Sequence, residues 1–573
     1  MTHRERLTRL AEITVPHILK AQVVDKDSRY YGGITEPVKG FPDPMSTAGY
    51  MDQLLSLYYC PDSIYYQDES LLDRISAMMD HLLAWQHDDG TIDFLEVDFY
   101  SVPSLAFTVQ VLVPLVRLIE SRASRASQGA ELGAGPGAAA KMDEENSIKS
   151  KIIKFLQKAA YAMPRGGFNT PNHRWVVASA ESLCASYFGD KDCLDDCNLY
   201  LQEGIDCDED GEFTERSVGI YDAVNDNAMI IMAKELDRLD LLEHVRRNLN
   251  KLQKYIEPDN TVMTLNSRRQ DVGRAVYPRN MYWTYRYMAV KDQNPFYAHM
   301  ADKLLAIWEN MQNPLGNAQK QYEPIGLVSS IKQFLLDETL NIDPPAEIWT
   351  NTYHAFFSRS GIVRERQEDC SFTLVADKPV FIKVQNGNLC VYGKLHASLT
   401  GFGAGRFTAD TMEKIADSAY RMTHKATLPY ARPLVNPGTW DYNKMPNDKR
   451  VKVGHQTLAF DVCAAIFERA VELRIKIEGV EYVPWKLELL FDPCGIWETG
   501  DSWVSGAAGS WTILKAGGAV YMKDGDKLEI SGGTGLQRYA PYARSSEDPD
   551  AEKFNVYLTG FTPVDHTVRI TCL

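Results

Sequence analysis

Basic charge is in short supply: 61 Lys and Arg against 77 Asp and Glu leave a formal charge of −16 at pH 7. No basic run alternates with aromatics, so a phosphate backbone would meet repulsion, and no nucleic acid partner is expected. Uncharged apolar runs look short as well, none reaching the roughly 18 residues a membrane span needs. The opening MTHRERLTRLAEITVPHILK is broken by charge and carries no cleavage signal. No membrane partner and a cytoplasmic location are the expectations. Cysteines number ten, with Cys184, Cys193, Cys197 and Cys207 as the one local cluster. That cluster lacks the second pair or the histidines of a structural zinc site, so buried free thiols in a reducing compartment are expected. There is no HExxH helix and no Ser nucleophile elbow. The Gly-rich GFGAGRF and SGGTG do not open a helix after a strand, so they read as turns rather than phosphate cradles.

What is present is a chain of 573 residues, longer than single cores usually grow, so two domains are expected. Up to about residue 340, apolar residues recur at three- and four-residue spacing, as in LLDRISAMMDHLLAWQ and SLAFTVQVLVPLVRLIE. On the order of ten to twelve helices in succession suit helical hairpins closing into a ring, an α/α toroid of about six hairpins. Residues 120–146, rich in Ala, Gly and Ser, read as a flexible surface insertion. From about residue 370 the pattern alternates apolar and polar, as in QTLAFDVCAAIFERAVELRIKIEG, which predicts antiparallel strands. The fold class expected is therefore α+β multidomain: a toroid over 1–345, then an antiparallel β-sandwich over 346–573.

Five segments gather residues able to do chemistry. In TPNHRWVVASAESL, Asn172 and His173 stand at a helix entrance, either as donors beside the positive end of the helix or as a cap and a packed ring. DGEFTERSVGIYDAVND crowds Glu215, Arg216, Tyr221, Asp222 and Asp226 beside apolar MIIMA. NSRRQDVGRAVYPRNMYWTYRYMAV interleaves Arg274 with Tyr282 and other aromatics, a pairing suited to carboxylates and sugar faces or to a solvated loop and a core stripe. His354 lies where helices give way to strands, and Asp98 precedes another helix entrance.

With this order of residues in view, the chain resembles the heparinase II/III-like group of polysaccharide lyases and oligoalginate lyases. The resemblance implies a cleft lined by an Asn-His pair, a Tyr at a later helix entrance and a His or Tyr near the β domain, matching Asn172, His173, Tyr221 and Tyr353 or His354. It implies β-elimination beside a uronate carboxylate. Asn172 with Arg216 or Arg274 would hold the carboxylate; His173 or Tyr221 would take the proton; Tyr221 would protonate the leaving oxygen. Tyr282, His354, Asp98 and Asp222 would contact the sugar. The match departs at Arg174 and Trp175, where a small residue is usual.

The same architecture is similar to that of certain exo-acting glycoside hydrolases of the β-glucuronidase type, for which Asp98, Glu215, Asp222 and Asp226 offer carboxylates. A non-catalytic carbohydrate-binding protein is the third expectation. A uronate-containing oligosaccharide is the expected partner under all three, attacked from its ends in the enzymatic ones. No metal or other cofactor is required by this chemistry. A homo-oligomer is left open.

Overall fold

The computed structural model describes residues 1–573 except 38, 128–137, 312–328, 346, 348–350, 400–404 and 543–546. It divides into two compact units, Met1–Lys251 with Tyr277–Trp349, and Leu252–Val276 with Thr350–Leu573. The sequence placed the division near residue 345 and kept 252–276 with the helices; the structure groups that excursion with the strands.

Among the described residues the first part of the chain forms twelve α-helices: α1 (His3–Ala21), α2 (Pro44–Tyr59), α3 (Ser70–Trp85), α4 (Val102–Ser127), α5 (Ala138–Ala162), α6 (Pro171–Phe188), α7 (Lys191–Gln202), α8 (Tyr221–Glu235), α9 (Leu242–Tyr255), α10 (Tyr282–Asp292), α11 (Pro295–Met311) and α12 (Ile331–Leu336). Their starts are written locally. Thr2 and Glu5 form a reciprocal capping box, and Asp43 and Asp190 accept the amides of Ser46 and Cys193. Helices α2, α4, α6, α8 and α10 pack each on the next, and α12 packs on α2 and α4. All six line one cavity of about 650 Å3, with Phe107, Arg117, Ile230, Glu235 and Trp283 on its wall.

Two expectations change here. Residues 102–124 of α4 are long and apolar enough to cross a membrane by length and composition, contrary to the sequence reading. Most of that segment is buried against neighbouring helices, so the apolarity serves the core. The insertion also narrows. Residues 120–127 continue α4 and 138–146 begin α5, and what remains of it, 128–137, lies outside the described residues.

The second unit holds two large sheets. In the eight-stranded sheet Tyr353–Phe357, Ile362–Gln367, Cys370–Val375, Val380–Asn386, Leu389–Ala397, Pro484–Phe491 and Phe554–Phe561 are antiparallel neighbours in that order, and Trp511–Ile513 joins the last in parallel. The nine-stranded sheet is antiparallel throughout and centres on Lys452–Phe467, Ala470–Gly479 and Val564–Cys572. In AVELRIKIEG, Val471, Leu473, Ile475 and Ile477 are buried while Arg474 and Glu478 are exposed, a two-residue period that fixes which face turns inward. One buried cluster takes Phe372, Leu487 and Val556 from the first sheet and Phe460, Leu473 and Val568 from the second.

The expectation of free thiols holds for Cys184, Cys193, Cys197 and Cys207, all buried. It fails for Cys370 and Cys572, which are joined in a disulfide between the two sheets. Those two lie 202 residues apart in sequence, a separation at which spacing carries no pairing signal.

Candidate active site

The entrance of α6 is built by Thr170, extended at φ −136° and ψ 153°, and by Pro171 at the first helical position. Asn172 is fully buried there. Its Nδ2 donates to Oε1 of Glu215 at 3.0 Å and to the Thr170 hydroxyl at 3.2 Å. Both amide hydrogens are thereby used. Turning the amide over would set its oxygen against a carboxylate, so the orientation is fixed by charge. The sequence assigned Asn172 to the substrate carboxylate; in the structure its amide ties α6 to the loop that precedes α8.

His173, one position on, is only partly buried. Its Nδ1 meets Oδ1 of Asn169 at 2.7 Å, and Nδ2 of Asn169 donates to Oδ1 of Asp98 at 3.3 Å. The Phe107 ring stands edge-on to the imidazole with centroids 6.0 Å apart. Phe107 also lines the cavity enclosed by the helices. Asp98 belongs to a short hairpin, β1 (Ile92–Phe94) and β2 (Asp98–Ser101), that leads into α4. Arg174 and Trp175, the residues that depart from the lyase pattern, are anchors: both reach Oδ1 of Asp206, at 3.0 and 2.7 Å, and Oδ2 of Asp206 accepts the Thr214 amide at 3.3 Å. They fasten α6 to the same loop that Asn172 holds.

That loop runs from Asp206 to Ile220. Gly211 sits at φ +83°, and a Cβ there would lie 2.3 Å from the Arg247 carbonyl oxygen, so only glycine fits. Arg216, half-buried, takes the left-handed conformation at φ +52°, rare for a side-chain-bearing residue and commonest where surroundings enforce it. Tyr221 opens α8, its backbone N–H donating to the Ser217 carbonyl at 2.9 Å, and its side chain is half-buried.

The two aspartates that follow turn inward. Asp222 is 1 % exposed, and its Oδ2 accepts from Asn248 at 2.9 Å and from Lys251 at 3.1 Å. Lys251 also pairs with Glu212 at 2.9 Å. Asp226 is fully buried with no hydrogen-bond partner among the described residues, and burial together with the Asp222 charge pushes its carboxyl well above the usual range. The sequence offered Asp222 as a sugar contact and Asp226 as a catalytic carboxylate; in the structure the first braces α8 against α9, and the second lies in the core with its carboxyl raised by burial.

The remaining candidates separate further. The Tyr282 hydroxyl is buried 3.0 Å from Nδ1 of His3, a contact that packs α10 on α1. Arg274 is exposed, and it and His354 belong to the second unit. His354 has Nδ1 3.0 Å from Glu365 and Nε2 2.9 Å from the Tyr420 hydroxyl, which engages both ring nitrogens within that unit. The Tyr353 hydroxyl donates to the carbonyl of Lys254 at 2.7 Å. The residues brought together at the start of α6 are thus Asp98, Asn172, His173 and Glu215, with Arg216 and Tyr221 on the loop tied to it. Asn169 and Phe107 were missed. The i,i+4 spacing of Asn169 and His173 across a helix start was the available signal for the first; nothing in the sequence marked the second.

No family model matches the sequence, and neither does any curated protein. Solved structures do share the fold. They include a Paenibacillus xanthan lyase (TM-score 0.58, 10% identity, over 100% of this chain and 57% of that one) and a Streptomyces coelicolor chondroitin AC lyase (0.53, 12%, over 100% and 79%). A heparan sulfate lyase from Pedobacter heparinus is also similar (0.50, 10%, over 98% and 83%). The chain therefore spans little more than half the length of the xanthan lyase. It has the architecture of these polysaccharide lyases, at an identity where likeness speaks for fold.

Proposed function

We propose that this chain is a lyase acting on uronate-containing polysaccharide or oligosaccharide. The observation that carries the reading is the hydrogen bond from Asn172 to Glu215, which ties the loop bearing Arg216 and Tyr221 to the helix entrance bearing His173. In the proposed reaction, His173 takes the proton from the carbon beside the carboxylate while Arg216 offsets the developing charge. The bond to the leaving oxygen breaks as a carbon–carbon double bond forms, and Tyr221 returns a proton to that oxygen. The shared fold supports the same reading, with the six cavity-lining helices as the inner layer of an α/α toroid and the two sheets as a β-sandwich. Attack from chain ends belongs to the proposal too, and predicts that small products accumulate before polymer viscosity falls.

A second reading, a uronate-specific glycoside hydrolase, is favoured by one feature: the carboxylates of Asp98 and Glu215 both reach the α6 entrance, through Asn169 and Asn172. Hydrolysis needs two carboxyl groups flanking the bond, roughly 5 to 10 Å apart. The two readings part on product. Incubation with a panel of uronate-containing oligosaccharides, followed by ultraviolet absorbance of the new double bond and by assay of free saturated uronic acid, is expected to give rising absorbance. Saturated uronic acid without absorbance would replace elimination by hydrolysis, and absence of either product across the panel would remove both.

A further inference from the structure

We propose that Asn169 is a positioning residue that sets the tautomer of His173, with Asp98 fixing the amide that does so. This rests on the reading of His173 as the proton acceptor. A neutral imidazole carries its hydrogen on one nitrogen, and only the other can take a proton from a substrate. Which nitrogen is which follows here from a chain of two hydrogen bonds. The Asp98 carboxylate has no hydrogen to give, so the atom of Asn169 that meets it at 3.3 Å is the donor Nδ2. That leaves Oδ1 of Asn169 facing Nδ1 of His173 at 2.7 Å. A carbonyl oxygen only accepts, so Nδ1 bears the hydrogen and Nε2 holds the lone pair. The Phe107 edge limits how the ring can swing away from that bond.

The arrangement differs from an imidazole backed directly by a carboxylate. The neutral amide orients the ring, and the charge of Asp98 stands one residue further off. Loss of Asn169 would remove the acceptor that faces Nδ1 and weaken the preference for one tautomer, costing orientation rather than binding.

The test is nitrogen-15 NMR of the histidine rings in the full chain, with the His173 signals identified by their loss in His173→Gln. A protonated Nδ1 and an unprotonated Nε2 are expected in the neutral ring, with both tautomers averaging in Asn169→Ala. Protonation at Nε2 in the unsubstituted protein would overturn the proposal without reference to activity. On a substrate that the chain turns over, Asn169→Ala is expected to lower kcat roughly 10- to 100-fold with KM within about twofold, and Asn169→Gln to recover part of the loss. If His173→Gln abolishes turnover while Asn169→Ala keeps full kcat, the positioning role fails and the base survives. If His173→Gln itself turns over normally, the base fails.

Discussion

Asn172 donates an amide hydrogen to Glu215 across 3.0 Å inside a region that leaves the two side chains 0 % and 3 % exposed. A buried amide whose hydrogens are both engaged stabilises the carboxylate it faces, and its replacement exposes that dependence. Asn172→Asp would set two carboxylates in contact, and a loss of ~2–4 kcal/mol is expected in urea unfolding. Asn172→Ala, which leaves Glu215 short of one donor, should lose ~1–3 kcal/mol. Equal losses in the two variants would mean that the pair is not held by charge.

Turnover should divide the polar residues of the α6 entrance and the 206–226 segment into two sets. Tyr221→Phe and His173→Ala are expected to lower kcat by about 10²- to 10⁴-fold, the usual worth of a positioned acid or base, with thermal unfolding close to that of the parent. Asp222→Ala should do the reverse. It strips a partner from the buried Lys251, at a cost of ~3–5 kcal/mol, and should lower Tm sharply while the folded fraction keeps its rate. Paired kcat and Tm measurements on the three variants would show whether this division holds.

The same division explains how far the sequence could be read. Pro171 and the following helical period place Asn172 and His173 at a helix entrance, because capping is local and written within a few residues. Crowded acids beside MIIMA announced buried polarity but not its direction. Asp222 turns inward because Asn248 and Lys251, 26 and 29 residues on, are there to receive it. The burial of Tyr282 was out of reach for the same reason, its partner His3 lying 279 residues away. Residues 252–276 run from the last turn of α9 toward α10 in sequence, and their membership of the strand unit depends on pairings that no local pattern carries.

Glu257 is the clearest of those pairings and predicts acid behaviour. It is fully buried, 2.9 Å from Arg364, 2.9 Å from Lys383 and 2.7 Å from the Ser371 hydroxyl. Burial alone would raise its carboxyl, but the two cations outweigh that and hold it at about 2, against an ordinary 4.5. A folded-state value below the unfolded one means the stabilisation is complete above about 4.5 and is lost as pH falls toward 2. The network should therefore contribute ~3 kcal/mol at neutral pH that disappears across that window. Glu257→Gln is expected to flatten the acid limb of a stability–pH curve and to lower stability at pH 7, whereas an unchanged acid limb would place the titrating groups elsewhere.

Glu181, in the middle of α6, has the opposite sign. It is fully buried, and burial, reinforced by the negative charge of Asp196 and a hydrogen bond to it, pushes its carboxyl up to about 10. Folding therefore favours the protonated form. Below about 4.5 both states are protonated and nothing is lost, but as pH rises toward 10 the unfolded chain ionises and the fold weakens. Glu181→Met keeps similar volume without the titratable group, and replacing a buried carboxyl set beside another by an apolar side chain is expected to stabilise by ~1–3 kcal/mol at pH 8. The gain should shrink toward pH 5, where the native carboxyl is least costly. Denaturant unfolding at the two pH values checks both parts, and a variant destabilised equally at each would show that the carboxyl holds a partner the fold depends on.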